Sequence, residues 1–197
     1  MKKLILLSLV MLGITGFTLP AAAAEGEKWN LPKPAAEGGM PLMEALAQRQ
    51  SNRNFSDKPI SEQTLSDLLW ATWGINRSDG KHTAPTAKNT QEVVVFAALE
   101  NGVWLYEPSG NTLTKALPDD TRATFGGAPL SLIYAAPSNS DVSGLHVGSL
   151  YQNAGLFCAS AGLANVVKST GRDALNGKLV LPKDYKVFII HSIGWPR

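Results

Sequence analysis

The 197-residue chain is poor in the side chains that build disulfides and metal sites. It has one cysteine, Cys158, so no disulfide can form within the chain, and only three widely spaced histidines. Structural zinc sites need several Cys or His ligands at short spacing, so no metal site is expected. Cys158 lies in the apolar stretch 155–159 and is expected to be a small buried side chain rather than a nucleophile.

An excess of charge of one sign is also missing. The chain has 18 Lys and Arg against 16 Asp and Glu, and two of those lysines, Lys2 and Lys3, lie in a segment expected to be removed. No basic stripe is left for nucleic acid and no polybasic patch for an anionic membrane surface. With 44% apolar and 17% charged residues, the composition instead predicts one folded domain.

Residues 1–24 are typical of a secretory signal peptide: two lysines, an apolar run over 4–19, then Pro20 and four alanines. The run is shorter than the roughly 20 residues of a spanning helix, so cleavage after Ala24 and export to the periplasm or the cell exterior are expected, with an uncleaved anchor as the alternative. Residues 25–40 contain Pro and Gly without periodicity and are predicted to be a flexible, exposed arm before a domain at 41–197.

The pattern within that domain predicts an α+β fold. Ser61 has the character of an N-cap and Gly74 of a helix end, and Asn101-Gly102 between two β-branched or aromatic runs predicts a hairpin. In chain order, two helices come first and a hairpin follows them. A long helix rich in small residues then precedes the last strands. The predicted helices are 42–50, 61–73, 119–125 and 144–162, and the predicted strands are 92–99, 102–107, 130–136, 164–168 and 186–193.

Arg49-Gln50-Ser51-Asn52-Arg53 is the most informative stretch for function. In an extended backbone, residues 49, 51 and 53 point to one side, and in a helix Arg49 and Arg53 are i and i+4 neighbours. Both conformations bring two like charges together, which is unfavourable unless an anion such as phosphate lies between them. The alternative is that these arginines only complement the dipole at a helix C-terminus.

Two further segments are candidates for ligand contact. In 82–91, small residues and Pro85 allow the backbone to approach a flat ligand, while Thr86 and Asn89 offer hydrogen bonds; the alternative is a surface loop before a strand. The second candidate is Tyr151-Gln152-Asn153, followed by Ala161-Gly162-Leu163. The alternative is that these residues belong to a core helix that ends at glycine.

Six short motifs occur in an order and spacing that resemble the FMN-dependent nitroreductase superfamily, over about 41–197. One of them, Leu69-Trp70-Ala71-x-x-Gly74, is more similar to its branch of dehydrogenases that oxidise azoline rings. The other five are Arg49-x-Ser51-x-Arg53, Ala84-Pro85-Thr86-Ala87-x-Asn89-x-Gln91, Gln152-Asn153, Ala161-Gly162-Leu163 and Ile193-Gly194-x-Pro196.

This resemblance implies a mixed, mainly antiparallel sheet flanked by helices, in a homodimer with FMN at the subunit interface and the long helix as a central dimer helix. It also implies roles for single residues. Arg49, Gln50 and Ser51 would hold the phosphate and ribityl chain, Arg53 would reach the pyrimidine edge, and Pro85, Thr86, Ala87 and Asn89 would contact the isoalloxazine from the partner subunit.

Two positions depart from the family pattern. Near flavin N5, where family members often carry an acidic residue and a glycine, this chain has Lys168-Ser169-Thr170. Many members also extend past the final Gly-x-Pro and supply a basic phosphate ligand from that tail, a role that Arg197 would take here.

The implied activity is an FMN-dependent oxidoreductase that moves two electrons by a ping-pong mechanism from a reduced donor to a small acceptor such as a nitroaromatic or a quinone. The flavin N5 would carry the chemistry, no side chain would be an obligatory acid or base, and Arg53 would act electrostatically. NAD(P)H is one candidate donor, although nicotinamides are scarce outside the cytoplasm, where a quinol or a protein would serve. The alternative is an exported flavin-binding or interaction protein without significant turnover.

Overall fold

The computed structural model describes residues 26–175 and 177–197, so the predicted signal peptide lies outside the described residues. Within these ranges no helix combines the length and apolar character needed to cross a membrane. The helices are α1 (Leu42–Gln48), α2 (Glu62–Trp73) and α3 (Ser143–Ala161), with short 3₁₀ turns at Ala87–Asn89, Arg122–Phe125 and Arg172–Leu175. The strands are β1 (Lys28–Asn30), β2 (Val94–Leu99), β3 (Gly102–Glu107), β4 (Thr112–Leu117), β5 (Leu130–Pro137), β6 (Ala164–Lys168) and β7 (Tyr185–Gly194).

The seven strands form one sheet in the order β1-β4-β3-β2-β5-β7-β6, and every neighbouring pair is antiparallel. The predicted α+β fold with a mainly antiparallel sheet is therefore confirmed. The Asn101-Gly102 hairpin is also present, and Gly102 has φ +122° with the Leu117 carbonyl oxygen 2.3 Å from the place where a Cβ would stand. A side chain at position 102 would collide with β4.

Each face of the sheet covers a separate apolar core, because side chains alternate along the central strands. On one face, Val95 and Ala97 of β2 and Leu132 of β5 pack with α2 and α3. On the other face, Phe96 and Ile133 pack with residues of the 3₁₀ turns and of the chain that follows them. Burial on both faces explains why β5 reads as a continuous apolar run.

Helix α2 begins and ends where the sequence predicts. The Ser61 hydroxyl accepts a hydrogen bond from the Thr64 backbone N–H at 3.1 Å, and Gly74 is the C-cap. Helix α3 ends at Gly162, which has a left-handed φ of +70°. Cys158 on α3 is fully buried, and burial raises the pKa of its thiol, which agrees with the expected non-reactive role.

The structure corrects the prediction for residues 25–40. This segment contains β1, which pairs with β4, and Leu31 is buried. The Ser66 hydroxyl donates to the Pro32 carbonyl at 2.5 Å. The sequence pattern missed β1 because the strand has three residues at the sheet edge. It missed β4 because Leu113 is the one buried residue of that strand, so no apolar run marks it.

A buried polar network crosses β5, β7 and β6. The Tyr134 hydroxyl lies 3.3 Å from His191 Nδ1, and His191 Nε2 lies 3.0 Å from Asn165 Oδ1. His191 is fully buried, and this burial lowers its pKa from 6.5 to about 3. The ring is therefore neutral at ordinary pH, with Nε2 donating to Asn165 and Nδ1 accepting from Tyr134.

This network predicts acid sensitivity of the fold. Below pH 6.5 the unfolded chain binds a proton at His191 whereas the folded chain does not, so stability is lost as the pH falls toward 3. Between pH 6 and pH 4 the unfolding free energy of the wild type should fall by about 1.4 kcal/mol per pH unit more than that of His191→Gln, measured by urea unfolding. Equal slopes for the two proteins would contradict the assignment.

Candidate functional site

The stretch 49–53 is not helical. Helix α1 ends at Gln48, and Arg49 has φ −59° and ψ 116°, outside the helical region. The Asn52 backbone N–H donates to the Asn165 carbonyl at 2.8 Å, which holds the stretch beside β6. The structure thus excludes the helical alternative of the two considered: after α1 the chain runs beside β6 without helical structure.

Arg49 packs along α3. The stem carbons of Arg49 lie 3.6 and 3.7 Å from the place where a Cβ on Gly155 would stand, within ordinary contact distance. Oδ1 of Asn165 lies 3.7 Å from the same point. Arg49 therefore lies against the helix at Gly155 and next to Asn165 of the buried network.

Lys168, at the end of β6, lies in the field of Arg53. Desolvation lowers the pKa of Lys168, and the positive charge of Arg53 lowers it further. Its ammonium group donates to the Phe125 carbonyl, at the end of a 3₁₀ turn. Two cations from different segments are thus held near each other, while Ser169 follows as an exposed residue.

The C-terminal residues reach the same region. The Ser56 N–H donates to the Trp195 carbonyl at 2.8 Å, and Phe55 pairs with Pro196. The Arg197 N–H donates to the Asn54 carbonyl at 3.2 Å, so Arg197 lies directly beside the stretch that carries Arg53. The predicted contribution of Arg197 to the same site is therefore compatible with its backbone position.

Carboxylates do not compensate these cations. Among residues 26–175 and 177–197, no ion pair involves Arg49, Arg53, Lys168 or Arg197, although other basic side chains do pair with Asp or Glu. Like charges held near one another without a counter-charge are unfavourable, and a phosphate or other anion would remove that cost. These residues are therefore a candidate anion site.

A cleft of about 180 Å³ adjoins this region. Gln50, predicted as a cofactor ligand, lines it, whereas Ser51 is exposed. Asn165 also lines the cleft, and the hydrogen bond from His191 to its Oδ1 directs the amide nitrogen elsewhere. The remaining lining residues are Gln48, Asn52, Ala159, Gly162, Leu163, Ala164 and Pro196.

The predicted flavin-contact loop 85–89 lies elsewhere on the same chain. The Ala87 N–H donates to Nε2 of His146 at 2.8 Å, in the first turn of α3. Position 146 is nine residues from Gly155, where Arg49 packs, and nine residues of helix span about 13 Å. The structure brings residues 49–53, 168 and 197 together but places Pro85, Thr86, Ala87 and Asn89 near the other end of α3.

Sequence reasoning missed four polar residues around the site. Asn165 and His191 fix the β6 side, while Glu92 and His146 lie beneath the 85–89 loop, with 2.7 Å between the Glu92 carboxylate and Nδ1 of His146. No local motif marks them, because each pair joins residues far apart in the chain. Only the polar residue types within apolar elements could have drawn attention to them.

Comparisons with known proteins agree with this fold. A crystal structure of a nitroreductase homologue from Ralstonia eutropha JMP134 is 33% identical, with a TM-score of 0.81 over 90% of this chain and 93% of the other. A nitroreductase homologue from Methanocaldococcus jannaschii is 24% identical, over 76% of this chain and 88% of its own length.

A third relative shares the fold at lower identity. The crystal structure of a nitroreductase with bound FMN from Bacteroides fragilis is 16% identical, with a TM-score of 0.56 over 79% of this chain and 88% of the other. The model of the Nitroreductase family matches residues 46–195, from within α1 to the residue after β7, and includes 49–53, 85–89 and Lys168. The chain therefore belongs to the nitroreductase family of oxidoreductases.

Proposed function

We propose that this protein is an FMN-dependent oxidoreductase that transfers two electrons by a ping-pong mechanism from a reduced donor to a small organic acceptor such as a nitroaromatic or a quinone. The observation that carries the proposal is the group of cations without carboxylate partners at the junction of α1, β6 and the C-terminal residues. Family membership supports the reaction class, and the related Bacteroides fragilis structure with bound FMN supports the cofactor.

The residues present fit the phosphate end of FMN. As the family resemblance implies, Arg49, Gln50 and Ser51 would hold the phosphate and ribityl chain, with the Arg49 guanidinium as the charged donor to the phosphate. Lys168 and Arg197 add positive charge to the same region. Arg53 would lie at the pyrimidine edge, between these groups and the reacting part of the flavin.

When bound, FMN supplies the two-electron chemistry, so this chain has only to bind and orient it. In a ping-pong sequence the donor leaves before the acceptor enters, so one open face of the site would serve both. Arg53 would stabilise the negative charge that reduction places near N1. Residues 85–89 would form one wall of that face through exposed Pro85, Ala87 and Asn89.

A homodimer is part of the proposal. Three apolar side chains of α1 are exposed, Leu42 at 64%, Met43 at 76% and Leu46 at 44%, and Leu145 of α3 is 72% exposed. Exposed apolar side chains concentrated on one short helix favour burial against another protein surface. A second copy would also supply the 85–89 loop that a single chain holds away from its own arginines.

Export is the remaining part of the proposal and rests on the signal-like sequence of residues 1–24. It bears on the donor, because an exported enzyme would meet quinols and reduced proteins rather than NAD(P)H. The donor is therefore proposed to be a quinol or a protein, and NAD(P)H is the alternative. Comparing the rates with these donors in the same assay distinguishes the two.

Flavin binding is the direct test. The mature protein should bind FMN, and Arg49→Ala should weaken binding about 10- to 100-fold because a charge-assisted hydrogen bond to phosphate contributes about 1.5–3 kcal/mol. Lys28→Ala, which removes the same charge at the opposite edge of the sheet, is the control and should bind as the wild type does. Fluorescence titration measures the affinity of both variants.

Absence of FMN binding in the wild type would reject the proposal. Bound flavin that is reduced but reoxidises no faster than free FMN would favour the alternative, a flavin-binding protein without turnover.

Arg53 is expected to tune the flavin rather than only to hold it. Arg53→Ala should lower the two-electron midpoint potential by about 30 mV, which corresponds to about 1.4 kcal/mol of lost stabilisation of the reduced form, and should slow turnover. Spectroelectrochemical titration at saturating FMN measures the potential. An unchanged midpoint would exclude the electrostatic role.

The exposed face of α1 predicts the oligomeric state. Met43→Glu should convert a dimer to monomers and weaken FMN binding at least about tenfold, because a carboxylate resists burial at an interface. Val180→Glu, at an 81% exposed apolar position outside α1 and α3, is the control and should remain dimeric. Sedimentation velocity with and without FMN gives the result, and a dimer that tolerates Met43→Glu would place the interface elsewhere.

A further inference from the structure

A buried histidine and a buried carboxylate lie directly beneath the 85–89 loop. The side chains of His146 and Glu92 are 5% and 12% exposed, and Nδ1 of His146 is 2.7 Å from Oε1 of Glu92. On the other side of the ring, Nε2 of His146 lies 2.8 Å from the backbone nitrogen of Ala87. The imidazole thus bridges the start of the β2 segment and the loop.

The hydrogen-bond partners fix the tautomer of His146. The Ala87 backbone N–H can only donate, so Nε2 must accept and carries no proton. Nδ1 then carries the proton and donates it to the Glu92 carboxylate, which can only accept. Glu92 therefore stabilises the one neutral tautomer that can hold Ala87, and the opposite tautomer would set two N–H groups against each other.

The loop that depends on this contact is conformationally costly. Lys88, Asn89 and Gln91 have φ values of +53°, +55° and +49°, in the left-handed region that residues other than glycine rarely adopt. Such a conformation is unfavourable for a residue with a side chain and persists only where the surroundings fix it. The Thr86 hydroxyl accepts from the Gln91 N–H at 3.1 Å and closes the loop on itself, whereas His146 ties it to α3.

We propose that His146 is a positioning residue which, with its tautomer set by Glu92, anchors the Ala87 N–H and so holds residues 85–89 in the conformation that contacts the flavin. The ligand in this statement rests on the proposed function, whereas the anchoring of the loop does not. An apolar residue at 146 would fill the same space without burying polar groups, so the hydrogen bond to the loop is what the buried pair adds.

The test uses two variants that differ in where they place a polar group. Glutamine puts its terminal amide near the position of Nε2 and can accept from Ala87, whereas asparagine reaches only the position of Nδ1 and can still bond to Glu92. His146→Asn should increase the rate of trypsin cleavage after Lys88, measured by mass spectrometry without FMN, about tenfold, and should weaken FMN binding about tenfold. His146→Gln should stay within about twofold of the wild type in both measurements.

Each other outcome overturns a defined part of the proposal. Equal cleavage in the two variants would show that His146 acts only as a buried polar residue, and altered cleavage with equal FMN affinity would remove the link to the flavin. If neither the wild type nor any variant binds FMN, the proposed function fails. The cleavage rates still show whether His146 anchors the loop. Should His146→Asn fail to fold, ¹⁵N NMR of the wild-type ring decides: an Nδ1–H tautomer is expected, and an Nε2–H tautomer would contradict the proposal.

Discussion

One backbone hydrogen bond determines where the candidate site forms. The Asn52 N–H donates to the Asn165 carbonyl and joins the stretch after α1 to the edge strand β6. Asn165 is in turn fixed from inside the sheet by His191 and Tyr134, so the attachment point is rigid. With the stretch held there, the stem of Arg49 lies against α3 and Arg53 lies near Lys168.

Electrostatics then give this rigid frame its chemical character. The same strand edge gathers Lys168, and the C-terminal residues bring Arg197 beside Asn54. No carboxylate of the described ranges pairs with these cations, so the protein itself does not neutralise them. Such a centre gains stability from an anionic ligand, and a phosphorylated cofactor supplies one together with reactivity that the side chains lack.

Local patterns in the sequence predicted the elements that local physics controls. Ser61 and Gly74 bound α2, and Asn101-Gly102 forms the hairpin, because capping and turn formation depend on neighbouring residues. The arginine stretch was proposed from its own spacing, and its role in binding stays a prediction. The edge strand β1 was missed, since three residues carry no periodic signal and its pairing partner lies more than eighty residues later.

The polar residues that complete the site were beyond local patterns for the same reason. Asn165 and His191 meet through the pairing of β6 with β7, and Glu92 meets His146 through the packing of α3 on the chain before β2. Tertiary structure creates these pairs, and a single sequence without its relatives does not show which distant polar residues become neighbours. The assignment of Lys168 and Arg197 depended on resemblance, and the structure adds their surroundings.

Helix α3 also separates two parts of the candidate site by a fixed distance and a fixed rotation about its axis. At 3.6 residues per turn, the nine positions from His146 to Gly155 make two and a half turns, so the loop anchor and the arginine stem project from opposite sides of the same cylinder. The body of the helix stands between them. A planar molecule that must touch both surfaces at once can do so where two such helices lie side by side, which would give a twofold-symmetric pair two equivalent pockets.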